Sequence, residues 1–293
     1  MHKPKGIIAL DLDGTLLNSN KELTPANLAA LEQAAAAGYA IVPTTGRFYG
    51  GMPQVIRDLP FVRYAITING AEVADLSTGQ VIYKAELPKE QAIGIMAYLD
   101  GYPVIYDCFQ GNSAYMTAAQ KELVEVMASS PHYRKMLHEL RQNVPELKAF
   151  LSGRNMDVQK IQFFTNRPQL RLELMERLPQ VFADILVSSS VIDNVEINEK
   201  NAHKGAALLA LAKHLDIPRE NTFAFGDGLN DLTMLRDAGV GIAMENACPE
   251  AKQIADRVTR SCDDDGVAYA IYQYCLSFLT GGQPYEHSFQ TRD

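Results

Sequence analysis

Two aspartates one residue apart, Asp11 and Asp13, follow directly on the apolar run Ile7 to Leu10 and lead into Gly14 and Thr15. A second acidic group, Asp227 and Asp231 in the segment GDGLND, follows the apolar run Thr222 to Phe225 in the same way. Strand interiors do not tolerate paired carboxylates. Each run therefore reads as a buried parallel strand that stops where the acids begin, with glycine loosening the turn. Asp231 taken alone has a plain alternative, since an acid also suits the first turn of the helix that follows. Three or four carboxylates on one rim repel each other and raise their own pKa values unless a cation joins them. An all-oxygen set with few carboxylates fits Mg²⁺ better than Zn²⁺ or a transition metal.

Lys204 is the second clue. With Asn201 as N-cap it falls at the third helical position, where a cation opposes the helix dipole by roughly 0.3 to 1 kcal/mol. A bound anion would compensate; a solvated lysine would tolerate the cost. Thr45 and Gly46 offer a hydroxyl and a flexible backbone N–H that suit a phosphate, yet Thr-Gly is also an ordinary turn. Arg47 is either a guanidinium partner or the opening of a helix. Taken together these positions specify a reaction. An ionised aspartate, with an ordinary pKa of about 3.9, attacks phosphorus without a base. Mg²⁺ and Lys204 offset its repulsion from a phosphate dianion. Asp13 protonates the leaving oxygen and later deprotonates water, while Thr45 positions the phosphoryl group.

These residues need a scaffold that brings four distant segments to one edge. Thr24 and Pro25 start a helix carrying Leu28 and Leu31 that ends near Gly38, and Tyr39 to Val42 is a short strand delivering Pro43 to Arg47 to its carboxyl end. Strand, helix, strand with short connections is a βαβ unit, so the sheet is parallel, and Asp11 and Thr45 share a rim. Ligands bind at that rim in open α/β sheets. Tyr64 to Ile68 is a further strand ending in Asn69, and Val73 to Tyr83 is a hairpin turning at Ser77 to Gly79.

Between about Leu87 and Ser190 the texture changes to α+β. Helices are expected around Lys89 to Leu99, Ala118 to Met127 and Pro168 to Leu178, with strands at Val104 to Phe109, Val158 to Phe164 and Val181 to Val187. The first texture resumes near Asn201, with a leucine-rich helix, the strand before GDGLND, a helix with Leu232 and Leu235, the strand Val240 to Ala243, and a closing helix around Gly266 to Leu279. The reading is an α/β fold, a Rossmann-like parallel-sheet core at 1–84 and 191–280, an inserted α+β domain at 85–190, and a polar, poorly ordered tail at 281–293.

Composition narrows the partners. The chain has 293 residues, 47% of them hydrophobic, enough for two ordinary domains. A net charge of −8 argues against nucleic acid, which demands clustered cations. The four cysteines, Cys108, Cys248, Cys262 and Cys275, show no metal-like spacing and suit a reducing compartment. The apolar run after the basic start is too short for a signal peptide or membrane span, so a cytoplasmic protein without membrane attachment is expected.

In order along the chain, DLDGTLLNS, TTGR, the single Lys204 and GDGLND resemble the four motifs of the haloacid dehalogenase superfamily of phosphohydrolases. The long insertion between the second and third motifs is similar to the α+β cap of its Cof-type (type IIB) branch. The resemblance implies that Asp11 is the nucleophile and Asp13 the general acid/base. It implies Mg²⁺ held by the Asp11 side chain, the Asp13 carbonyl and Asp227, with Asp231 in support. It also implies phosphate held by the Leu12 backbone, Thr45, Gly46, Lys204 and Asn230, and it matches Asn69 to a loop beneath the cap. Arg47 is counted among the supporting residues. One departure is Cys262, in VTRSCDDDGVA, where the family more often has asparagine. Family caps choose the substrate; Tyr106, Asp107, Tyr115, Arg154 and Lys160 are residues of this region that could face the site, and none is assigned.

The expected activity is a Mg²⁺-dependent phosphatase acting on a small phosphorylated metabolite such as a sugar phosphate, in a monomer or homodimer. A phosphomutase would use the same phosphoenzyme and return the phosphate to the substrate. A non-catalytic phosphate-binding module would have no use for the acid/base. A P-type pump shares the aspartyl chemistry but needs membrane helices.

Overall fold

The computed structural model describes residues 3–276. The opening apolar run forms the strand Gly6–Leu10, buried along its whole length. On one side it pairs with Tyr39–Pro43. On the other it pairs with Thr222–Gly226, and Val240–Ala243 and then Arg257–Val258 lie beyond that. All these pairings are parallel, so the strands share a carboxyl-end rim. The chain leaves the first strand towards one neighbour and returns much later as the other, which puts the topological switch of the sheet at the ends of Gly6–Leu10 and Thr222–Gly226. Both acidic loops emerge there.

Helices cover the two faces. Pro25–Ala36 starts with the Thr24 hydroxyl accepting from the Asn27 amide and with proline in its first turn, and buries Asn27, Ala30, Leu31 and Ala34 at helical spacing. It packs with Gly266–Ala270 and the wider helical turn Ile271–Leu276 on one face. Lys204–His214 packs through Ala207, Leu208, Leu211 and Ala212 on the other. The expected N-cap of that helix, Asn201, is displaced by His203, whose Nδ1 accepts from the Ala206 amide at 3.1 Å. Lys204 is thus the first helical residue, not the third. The end of the expected closing helix and the expected tail at 281–293 lie outside the described residues.

Tyr64–Thr67 is not a further strand of the parallel sheet. It forms an antiparallel three-stranded sheet with Glu72–Asp75 and Gln80–Lys84, the expected hairpin, and touches the parallel sheet through one bridge, Thr44 to Ile66. The inserted region builds a six-stranded sheet in the order Ile185–Ser188, Asn194–Glu199, Lys160–Phe164, Ile105–Gln110, Ser113–Thr117, Arg141–Val144. Asn194–Glu199, expected to belong with the returning core from residue 191, pairs instead within this sheet against Phe164 to Ile161. The expected helix 118–127 is two short helices, Ala118–Glu122 and Val124–Met127, and Pro168–Val181 runs on through the first residue of the strand expected at 181–187.

Side chains alternate across this second sheet with period two. Ile161, Phe163, Val195, Ile197 and Cys108 join one apolar cluster with Ala92, Ile95, Met96, Leu174 and Leu178 of helices Lys89–Leu99 and Pro168–Val181. The interleaved residues Lys160, Gln162, Glu196, Asn198 and Asp107 are buried too, although polar. Burial without a partner would cost each of them several kcal/mol, so that face must meet polar groups. It does: Lys160 Nζ donates to the Gly46 carbonyl at 3.0 Å, and Glu196 accepts from Asn69 at 2.9 Å.

Candidate active site

The two acidic loops and the start of helix Lys204–His214 meet at the switch point. Lys204, with no exposed surface, sends Nζ to Asp11 Oδ1 and to Asp231 Oδ1, both at 2.6 Å. The helix dipole's objection to a cation in the first turn is answered by two carboxylates of the protein itself. Asp231 Oδ2 accepts from the Asp227 and Gly228 amides, both at 2.9 Å, so its oxygens are spent on holding the loop. Thr15 donates to Asp227 Oδ1 at 2.9 Å. Gly14, at φ +92°, lets the nucleophile loop pass so close that a Cβ would stand 2.6 Å from Asp227 Oδ2. Asn246 donates to the Gly14 carbonyl and accepts from the Cys262 amide, both at 2.8 Å, so the backbone at the departing position buttresses this loop.

The acids lie close enough to hold an ion. Oxygens of Asp11, Asp227 and Asp231 all fall within 4.8 Å of one another. Burial, together with repulsion from Asp231 and Asp227, pushes Asp11 well above the carboxylate range against the pull of Lys204. Burial and Asp231 push Asp227 up to about 7, opposed by the Thr15 hydrogen bond. Burial alone would lower Lys204; Asp11 and Asp231 outweigh it and hold it above its ordinary value, fully charged. One buried cation against three carboxylates leaves an excess of negative charge, and oxygen-only donors with that excess fit Mg²⁺. Asp11 Oδ2 and Asp227 Oδ2 accept no hydrogen bond from the described residues.

Asp13 stands apart from that cluster. Arg47 grips it bidentately, Nε to Oδ2 and Nη2 to Oδ1, each at 2.8 Å, and Lys21 Nζ lies 3.1 Å from Oδ1. Burial pushes its carboxyl up, but Arg47 and Lys21 outweigh burial and hold it below the ordinary range. Arg47 is therefore a guanidinium partner and not a helix opening. Thr45 accepts from the Arg47 amide at 3.2 Å, which leaves its hydroxyl proton free to donate. Leu12 has no exposed surface and packs in the core.

The loop after Tyr64–Thr67 is fastened to this rim. The Ile68 amide donates to the Arg47 carbonyl and the Asn69 amide to the Thr45 carbonyl, at 2.9 and 3.0 Å. Ile68 and Asn69 both have positive φ, +53° and +58°, an unusual state for a β-branched residue that is held by those bonds. Asn69 then bridges Glu196 of the second sheet and Asn230 of the acidic loop, at 2.9 and 3.2 Å. One of the two amide N–H donors of Asn230 is thus directed at Asn69, a partnership that spacing alone did not reveal.

A cavity opens between the rim and the polar face of the second sheet. Asp11, Asp13, Thr45, Gly46, Arg47, Asp227 and Asn230 line its floor. Its roof includes Phe109, Tyr133, Arg141, Lys160, Gln162 and Glu196. Of the five residues named from sequence in the inserted region, Lys160 faces the cavity and Asp107 lies behind it, bonded to Arg141, while Tyr106, Tyr115 and Arg154 do not line it. Arg141, Gln162 and Glu196 were missed. The signal that would have found two of them is polar residues at alternate positions in otherwise apolar strands, KIQFF and NVEINE.

A family model for haloacid dehalogenase-like hydrolases matches residues 8–271. A phosphatase of Bacillus subtilis, YwpJ, is 33% identical over 281 residues, covering 90% of this chain and 97% of its own. From the same organism, a 5-amino-6-(5-phospho-D-ribitylamino)uracil phosphatase is 27% identical over 270 residues, covering 92% and 96%. Among solved structures, a haloacid dehalogenase-like hydrolase from B. subtilis superposes with a TM-score of 0.81 at 31% identity, covering 92% of this chain and 99% of that one. A subclass IIB sugar phosphatase, BT4131, shares the fold with a TM-score of 0.79 at 23% identity, covering 95% and 100%.

Proposed function

The chain belongs to the haloacid dehalogenase-like hydrolases, and from that premise we propose that it is a Mg²⁺-dependent phosphatase of small phosphorylated metabolites, sugar phosphates foremost, working through an aspartyl phosphate on Asp11. The observation that carries the reading is the Lys204 ammonium bonded to both Asp11 and Asp231 beside Asp227. Such a cluster aims the Asp11 carboxyl and sets beside it an ammonium that offsets its negative charge, which is what attack on a phosphate dianion requires. The acid/base role falls to Asp13, which stands at the cavity floor two residues along. Thr45, Gly46 and the Leu12 backbone would receive phosphoryl oxygens, with Lys204 offsetting their charge. Asp11, the Asp13 carbonyl and Asp227 would hold Mg²⁺, with Asp231 fixing their loop; when bound, the ion supplies Lewis-acid neutralisation of the phosphoryl group.

The second sheet acts in this reading as a cap. Residues 85–199 form it, and the segments on either side form the catalytic core, with the second boundary nine residues beyond the one the sequence texture suggests. Support for a sugar phosphate comes from the roof, where hydrogen-bonding side chains mix with Phe109. A relative named for a phosphoribityl substrate adds to it. No helix among the described residues is long and apolar enough to cross a membrane, in keeping with a metabolite as partner. Phosphate release from a panel of small esters, with Mg²⁺, with chelator and with Asp11→Asn, tests the proposal. Release that survives both chelation and the substitution would reject it.

A further inference from the structure

We infer that Arg141, held from behind by Asp107, is the subsite for the leaving group and selects esters whose leaving group carries uncharged oxygens, hydroxyl or carbonyl, over those carrying a second anion. The inference rests on the proposed phosphatase reading and names the part of the substrate that the catalytic loops do not touch.

Arg141 stands where helix Pro131–Leu140 passes directly into the strand Arg141–Val144 at the edge of the second sheet. It lines the cavity, yet its side chain is only 2% exposed. Its Nε donates to Asp107 Oδ2 at 2.7 Å, and the same oxygen accepts from Gln162 at 3.0 Å. Asp107 is wholly buried. Among the described residues that bond is the guanidinium's one hydrogen bond, which leaves the four N–H donors of Nη1 and Nη2 without a protein acceptor. Gln162 Oε1 likewise accepts none. A guanidinium desolvated and oriented in this way, with its terminal fork unused, is built to receive acceptor atoms. Lys160 has no such capacity left, because its ammonium is spent on Glu196 at 2.8 Å, on the Gly46 carbonyl and on the Phe109 ring.

Charge decides which acceptors. Arg141 is closed by Asp107 and Lys160 by Glu196. The roof therefore adds no net positive charge, and a second anion there would be desolvated beside two buried carboxylates. Neutral oxygens take the free N–H groups without that cost. Phe109, Met136 and Leu140 provide an apolar wall for the carbon skeleton.

The test compares kcat/KM of the wild type, Arg141→Met and Arg141→Lys with Mg²⁺ on three esters: a hexose phosphate, phenyl phosphate and a carboxylate-bearing phosphoglycerate. The wild type should prefer the hexose phosphate. Arg141→Met should cut the ratio of hexose phosphate to phenyl phosphate by roughly 10- to 100-fold, the scale of charge-assisted hydrogen bonds. Arg141→Lys, which keeps a cation on Asp107, should fold as the wild type and recover part of the ratio. An unchanged ratio in Arg141→Met, or a wild type that favours the phosphoglycerate, overturns the inference. Absence of Asp11-dependent release from all three esters overturns the phosphatase reading itself, and the subsite with it.

Discussion

Replacing Lys204 by methionine isolates the electrostatics of the site, because methionine keeps most of the stem and removes the ammonium. The lysine side chain is fully buried, and its partners Asp11 and Asp231 are 10% and 1% exposed. Its loss leaves buried carboxylates without their cation. Breaking one partner of a buried pair costs about 3–5 kcal/mol, and the two 2.6 Å contacts here place the variant in that range. The cost must depend on pH. Asp11 and Asp227, already raised by burial, lose the opposing pull of the ammonium and are pushed higher still, so the variant's folded state holds protons to higher pH than the wild type's. The folded state then binds more protons, and variant stability falls as pH rises. Urea unfolding in the absence of divalent ions should therefore show about 3–5 kcal/mol at pH 8 and clearly less at pH 5.5, with phosphatase turnover lost at both. A cost below about 1 kcal/mol at pH 8, or one no smaller at pH 5.5, would show that the ammonium does not hold these buried carboxylates.

Other expectations follow from the same geometry. Asp227, pushed up to about 7 by burial and Asp231, binds a proton in the folded state between pH 4 and 7 that the unfolded chain has released. The ion-free protein therefore loses stability as pH rises through that window, at up to about 1.4 kcal/mol per unit. Thermal melts at pH 5 and 8 should show Mg²⁺ raising the midpoint far more at pH 8; equal shifts would contradict it. Gly46→Ala puts a Cβ 2.8 Å from Asn69 Oδ1, which Asn230 and Glu196 hold in place. It should destabilise by about 1–3 kcal/mol and raise KM, as unfolding and steady-state kinetics would show. Asp13→Asn keeps a side chain of the same shape but cannot exchange a proton. It should lower kcat by roughly 10²- to 10⁴-fold and also cost some stability, since Arg47 and Lys21 lose their carboxylate; a kcat within threefold of wild type would exclude Asp13 as acid/base.

The parallel core was legible because its signals are local: an apolar run, an abrupt pair of acids, a capped helix with a buried stripe. Asp11, Asp227 and Lys204 were placed together by topology, since parallel strands share a rim. What escaped depended on pairings that no local pattern encodes. His203 displaced Asn201 as N-cap because an imidazole nitrogen can accept from the third residue on. Asn194–Glu199 reads as an alternating strand, but nothing in it says which sheet it joins. Arg141 sits where a helix gives way to a strand without a turn signal, and its buried partner Asp107 lies 34 residues away.

In the proposed reaction Asp11 carries the phosphoryl group. Enzyme turning over substrate with Mg²⁺ can be quenched in acid, reduced with borohydride to convert an acyl phosphate into homoserine, and digested for mass spectrometry. Homoserine is expected at position 11 and at no other aspartate, and is expected to be absent from Asp11→Asn. Modification at a different residue, or turnover that leaves Asp11 unmodified through a pre-steady-state burst, would contradict it.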